Sequence, residues 1–207
     1  MKLAIFGATG KTGIELVKQA LEQGHVVTAF VRDSARLGIE DERINFVTGD
    51  VYDPVSVAQA IQGQDAVICA LGAGSSLKKT TVRTTGTMNI IKGMKEHMVD
   101  RLMVVTAMGI GESWDTLSPF NKFFFATLLK SSRADHETQE AAVKESGLDW
   151  TIVRPSGLTD TPRTSVYDVG ENILAKTSKI ARADVADLIL KELGQNTLIG
   201  KAVTITN

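Results

Sequence analysis

Residues 7–13 read Gly7-Ala8-Thr9-Gly10-Lys11-Thr12-Gly13, immediately after the apolar run Leu3–Phe6 and immediately before an amphipathic stretch. Glycine at 7 permits a tight strand-to-helix turn, glycine at 10 lets backbone approach a phosphate, and glycine at 13 lets the helix pack against the strand. The free amides and the dipole of such a helix start favour a pyrophosphate. A glycine-rich turn that binds nothing is the plainer alternative. The Gly10-Lys11-Thr12 triplet also suggests a nucleoside triphosphate loop, but that loop needs a glycine where this chain has Ile5.

Around this turn, β-branched runs recur at 3–6, 26–31, 44–47, 66–71, 102–107, 150–154 and 202–206. Their near-continuous apolarity is what strands covered on both faces require. Helical spacing fills the gaps, first over Thr12–Glu22, with Ile14, Val17, Lys18 and Leu21 in register and Gly24 as a stop. Further helices are predicted over Val55–Ile61, Thr80–His97, Arg133–Ser146 and Asp184–Leu193. Alternation of this kind predicts an α/β fold: a doubly wound, mostly parallel sheet flanked by helices. At 207 residues it predicts a single domain, 1–207. The rhythm breaks near 108–133 and 155–180, which are expected to be substrate-covering segments.

Composition excludes several functions. With 23 basic and 24 acidic side chains, the net charge of −1 offers no field for nucleic acid or an anionic membrane, so neither is expected as a partner. One cysteine, Cys69, allows no internal disulfide framework, and with three scattered histidines no Cys/His metal site is expected. The run Lys2–Phe6 is too short for a secretory signal, so the expected location is cytoplasmic.

Three further segments carry ligand chemistry. Val31-Arg32-Asp33-Ser34-Ala35-Arg36 ends the second strand, where a carboxylate serves a free ribose diol and guanidinium groups serve a 2′-phosphate. Arg32 and Arg36 favour NADP, with NAD as the second option. Asp33 serves either NAD or the N-cap of a short helix through Arg36. Gly49-Asp50-Val51 follows the third strand, where Asp50 accepts an adenine amino group or makes a turn. Leu71-Gly72-Ala73-Gly74 ends the fourth strand, as backbone against a cofactor or as a plain turn.

Together GATGKTG (7–13), VRDSARL (31–37), GDVYD (49–53), ESGLDWTIVRPSGLTD (145–160) and RADVADLIL (182–190) resemble the atypical short-chain dehydrogenase/reductase superfamily. Within it, the chain is similar to the NAD(P)H-binding group that contains biliverdin reductase B, or flavin reductase, nearly end to end. The resemblance implies a Rossmann-like fold with a hydride donor bound across the strand C-termini. It implies a cofactor set of Gly7, Thr9, Gly10, Lys11, Thr12, Gly13, Arg32, Ser34, Arg36, Asp50, Val51, Leu71, Gly72, Thr106, Arg154 and Pro155. At the reaction centre it implies Thr106 beside the nicotinamide, His136 lining the acceptor pocket and Ser156 in the segment passing the carboxamide. Thr106 also reads as an ordinary strand residue and His136 as a solvent-facing one. Gly157 stands where the mammalian enzyme has a histidine, a departure that bears on substrate handling.

The Tyr-x-x-x-Lys pair that protonates alkoxides in typical members is missing, because Tyr52 and Tyr167 are followed at that spacing by Ser56 and Glu171. A planar small-molecule acceptor suits such a site, because its reduced anion is delocalised and water can protonate it. A flavin is then a substrate rather than a prosthetic group, with quinones and tetrapyrroles as relatives. Two other readings stand: a redox sensor that binds the dinucleotide without turnover, and a sugar-nucleotide epimerase. Phe120, Phe123, Phe124, Phe125, Leu128 and Leu129 make either an aromatic flap or a packed helix, and Trp114 is open in the same way. Cys69 is expected to be an inert core thiol, and a monomer is expected over a homodimer.

Overall fold

A computed structural model describes residues 1–72, 80–116, 130–171, 173–175 and 177–207. The apolar runs become strands β1 (Lys2–Phe6), β2 (Val26–Val31), β3 (Ile44–Thr48), β4 (Ala66–Cys69), β5 (Arg101–Val105), β6 (Asp149–Pro155) and, near the C-terminus, β10 (Lys201–Thr206). Between them lie α1 (Lys11–Glu22), α2 (Pro54–Ile61), α3 (Val82–Glu96), α4 (Lys130–Lys144) and α5 (Arg182–Gln195). The main sheet runs β3-β2-β1-β4-β5-β6-β10-β8, parallel throughout except for β8 (Asp168–Gly170), which pairs antiparallel with β10. This is the doubly wound, Rossmann-like α/β fold that the sequence predicts.

Burial follows strand parity. Leu3, Ile5, Ala29, Ala66 and Ile68 point to one face, where α1 brings Leu16, Val17 and Ala20 and α5 brings Val185, Ile189 and Leu193. Ala4, Phe6, Val67, Cys69, Leu102 and Val104 point to the other, covered by Val57 and Ile61 of α2, Ile90 and Met94 of α3, and Val143 of α4. Each strand is therefore apolar on both sides, which accounts for runs without alternation.

Several boundaries shift in ways that matter for the site. Strand β4 stops at Cys69 and β5 at Val105, so Leu71, Gly72 and Thr106 stand just beyond strand ends rather than inside them. Strand β6 spans Asp149–Pro155, one residue beyond the predicted run at each end, so Pro155 joins Arg154 in the strand. The segment 155–180 supplies β7 (Gly157–Thr159), β8 and β9 (Lys179–Ala181), with β7 and β9 forming a small separate parallel pair. Three-residue strands carry too little periodicity to be read from sequence.

Candidate active site

The order of the strands reverses between β1 and β4, because β2 and β3 lie on one side of β1 while β4, β5 and β6 lie on the other. In open α/β sheets the crevice at the C-terminal ends of such strands is where ligands sit. Gly7 leaves β1 there with φ +84°, and a Cβ on it would lie 2.3 Å from the Ala70 carbonyl oxygen. A Cβ on Gly13 would lie 2.1 Å from the Gly7 carbonyl oxygen. Backbone packing alone thus requires both glycines. Gly10 is the N-cap of α1 and no side chain caps that helix, so its first-turn amides remain available to an anion.

Lys11 lies exposed at this helix start and pairs with Asp160, which also receives Arg182 at the start of α5. The Lys11 ammonium, with Arg182 beside it, holds the Asp160 carboxyl below its usual range. Asp160 belongs to the 155–180 excursion, so an ion pair spans from that segment to the glycine-rich turn. The excursion is tied down elsewhere by Asp184, whose buried carboxylate accepts from the Thr164 amide at 2.8 Å, the Thr164 hydroxyl at 2.9 Å and the Ser165 amide at 2.8 Å.

Beyond β2, the alternatives for Asp33 separate. Its carboxylate accepts from the Ala35 amide at 3.1 Å and caps the short 3-10 turn Ser34–Arg36. Arg32, Ser34 and Arg36 are exposed, and neither guanidinium has an ion-pair partner among the described residues. Asp50 is exposed and forms a turn, accepting from the Tyr52 amide at 3.0 Å. Val51 is buried in the core, its carbonyl held by Asn89 at 2.8 Å. Thr9, Thr12 and Leu71 are half-buried and Gly72 is exposed around the same crevice.

On the β5–β6 side the structure places Thr106, His136, Arg154, Pro155 and Ser156 deep in the protein. Thr106 donates to Glu140 of α4 at 2.8 Å. Arg154 is 1% exposed and points to the α4 face, where it engages Glu140 and Glu112. Both carboxylates hold the Arg154 guanidinium under α4, while its backbone and that of Pro155 lie at the strand end. His136 is 8% exposed, not solvent-facing, and its Nδ1 lies 3.1 Å from Gln139 Oε1. Burial, with the Arg83 charge added, pushes its pKa down to about 4, so the imidazole is neutral near pH 7. Ser156 is buried and its hydroxyl has no hydrogen-bond partner among the described residues.

Glu140, Asp160, Asp135 and Asp184 escaped the sequence reading. Glu140 lies four residues after His136 and so on the same helix face, while Asp160 and Asp184 fall within the motifs 145–160 and 182–190 without a role being assigned to them. Tyr167 donates to Asp187 on α5 at 2.7 Å and is spent there. Trp114 packs under the Arg133 guanidinium at 3.7 Å. Cys69 is fully buried, and desolvation pushes its thiol pKa up, which suits an inert thiol. Ala73, Gly74, Phe120, Phe123, Phe124, Phe125, Leu128 and Leu129 lie outside the described residues. Among the described residues, concave regions of about 230 Å³ and 390 Å³ lie away from the glycine-rich turn, one against Trp150, Arg154 and Ala202 and the other against Gln64, Arg101 and Asp149. Among these residues, too, no three His, Cys, Asp or Glu side chains gather to hold a metal, and no helix is long and apolar enough to cross a membrane.

A family model described as NAD(P)H-binding matches residues 7–196, from the glycine-rich turn into the end of α5. The chain belongs to this NAD(P)H-binding family. A chloroplastic protein of Arabidopsis thaliana, described as uncharacterized, is 32% identical over 219 residues, spanning 99% of this chain and 76% of its own. The crystal structure of the oxidoreductase ylbE from Lactococcus lactis is similar at TM-score 0.83 and 25% identity, covering 100% of this chain and 91% of that one. A short-chain dehydrogenase/reductase from Veillonella parvula, solved in complex with NADP, shares the fold at TM-score 0.85 and 18% identity, over 100% of this chain and 94% of the other. The NAD(P)H-binding family and its oxidoreductase-like fold thus agree with the uncapped helix start and the small-residue turn.

Proposed function

We propose that this protein is an NADPH-dependent reductase that delivers hydride to a planar acceptor, a flavin or a related quinone or tetrapyrrole. The observation that carries the cofactor choice is the pair of exposed guanidinium groups Arg32 and Arg36, without an ion-pair partner among the described residues, beside an Asp33 that caps the turn through one oxygen. Two cations beside a carboxylate that caps through one oxygen suit a 2′-phosphate better than a ribose diol. The α1 amides from Lys11 to Gly13 would hold the pyrophosphate, Asp50 and Val51 would flank the adenine, and Leu71, Gly72, Pro155 and Ser156 would line the path to the nicotinamide.

Reduced nicotinamide, when bound, supplies the hydride. The protein has to align the acceptor, hold the crevice dry and leave proton supply to water. Thr106 is committed as a donor to Glu140, and neutral His136 carries no surplus proton, so neither is a ready acid. An acceptor whose reduced form is delocalised tolerates that lack, whereas an alkoxide does not. The same lack of an acid also favours, as a second reading, a sensor that binds the dinucleotide without turnover.

Mixing the purified protein with NADPH or NADH and FMN, a quinone or biliverdin, and following loss of nicotinamide absorbance, separates the two readings. Turnover with NADPH preferred supports the reductase. Tight binding without turnover on any of these acceptors leaves the sensor.

A further inference from the structure

Thr106 is 6% exposed at the C-terminal end of β5, and its hydroxyl meets Glu140 Oε1 at 2.8 Å. Glu140 is 3% exposed, and Arg154 grips both of its oxygens, through Nε at 3.0 Å and Nη2 at 2.5 Å. Arg154 Nη2 reaches Glu112 as well, at 2.8 Å, and the other Glu112 oxygen takes the Lys144 ammonium at 2.9 Å. A carboxylate clamped by a guanidinium offers lone pairs and no proton. The Thr106 hydrogen must therefore point at Glu140, away from the crevice. An unrestrained threonine hydroxyl rotates to donate or accept as its neighbour requires; this one has only oxygen lone pairs left for a ligand.

We propose that Glu140, locked by Arg154, is a positioning residue that fixes Thr106 as a hydrogen-bond acceptor, and that this selects planar acceptors presenting an N–H over those presenting a carbonyl oxygen. The proposal rests on the reductase reading above. An imide or pyrrole N–H pairs with the Thr106 lone pairs. A quinone oxygen meets them lone pair to lone pair, and the repulsion grows as reduction moves negative charge onto that oxygen. The outer carboxylate Glu112 takes a further bond from the same Nη2, which adds to the restraint on the guanidinium.

The test uses two flavins that differ at one atom's substituent, lumiflavin with its N3–H and N3-methyllumiflavin, together with a naphthoquinone. Values of kcat and KM with NADPH are measured for the wild type and for Thr106→Ser, Thr106→Val and Glu140→Gln. Wild type is expected to favour the N3–H flavin by about tenfold or more in kcat/KM, the worth of one hydrogen bond in a dry site. Thr106→Ser keeps that preference and Thr106→Val erases it to within about twofold. Glu140→Gln, which lets the hydroxyl turn, narrows the preference and raises naphthoquinone turnover several-fold, a gain that simple structural damage does not produce. Equal efficiency for the two flavins in wild type, or a preference that survives Thr106→Val, overturns the proposal while leaving the reductase reading intact. Absence of turnover with every acceptor overturns the reductase reading and this proposal with it. Should Glu140→Gln fail to fold, the Thr106 variants decide.

Discussion

At the scale of single residues, the guanidiniums after β2 and the histidine on α4 lead to separate measurements. Arg32→Ala should weaken NADPH by roughly tenfold to a hundredfold, as expected for a lost charged hydrogen bond, and should leave NADH nearly unchanged. Titration calorimetry with both dinucleotides reads this directly, and an equal loss for the two would remove the 2′-phosphate role. His136 predicts a pH effect of definite sign. Its folded pKa of about 4 lies below the 6.5 of an unfolded histidine, so the unfolded chain binds the proton first as pH falls. Stability is therefore complete above pH 6.5 and declines between 6.5 and 4, by about 3 kcal/mol from this group. Denaturant unfolding of wild type and His136→Gln across that window should show a shallower pH slope in the variant; parallel slopes would mean that His136 is not held neutral. The capping alternative for Asp33 was legible in the sequence because local spacing decides it. The burial of His136 and Arg154 was not legible, because it is set by packing between elements and not by local spacing.

At the scale of elements, one helix is started by a residue of another. Thr81, the N-cap of α3, gives no side-chain cap, and Asp135 of α4 takes its place by accepting from the Arg83 amide at 3.3 Å and the Thr84 amide at 3.0 Å. The predicted helix start at Thr80 was close to the observed Val82, but no local pattern could announce a cap 52 residues away. Asp135→Ala should cost roughly 2–4 kcal/mol, since it strips two helix amides and a buried partner of Arg83. The corresponding fall in Tm is on the order of 5–15 °C for a chain of this size. The Asp160 bridge works in the other direction. Because this exposed carboxylate neutralises Lys11 at the helix start, Asp160→Asn should tighten NADPH binding about twofold to fivefold at low salt, fading as salt screens the charges. Weaker binding in that variant would instead make Asp160 a support of the turn.

Across the whole molecule, the mostly parallel sheet and the burial of its strands on both faces were legible because each depends on apolar runs, whereas the order of the strands is set by pairing between distant segments. The excursions were not legible either, since β7, β8 and β9 are defined by partners rather than by their own periodicity. A dinucleotide bound only by the folded chain must raise its stability by mass action, about 2.7 kcal/mol at a hundred times Kd. A Tm increase of about 5–10 °C with NADPH, and a smaller one with NADH at equal concentration, is the expected result in a thermal scan. Strand β8 has a different consequence. A bare β10 would end the sheet in a row of unpaired amides and carbonyls, a template for any other extended chain, and Asp168–Gly170 covers its Thr204–Thr206 half by antiparallel pairing. Shortening the 155–180 excursion would strip that cover, and the damage would be seen first in a light-scattering trace, as clumping of protein whose crevice is still intact.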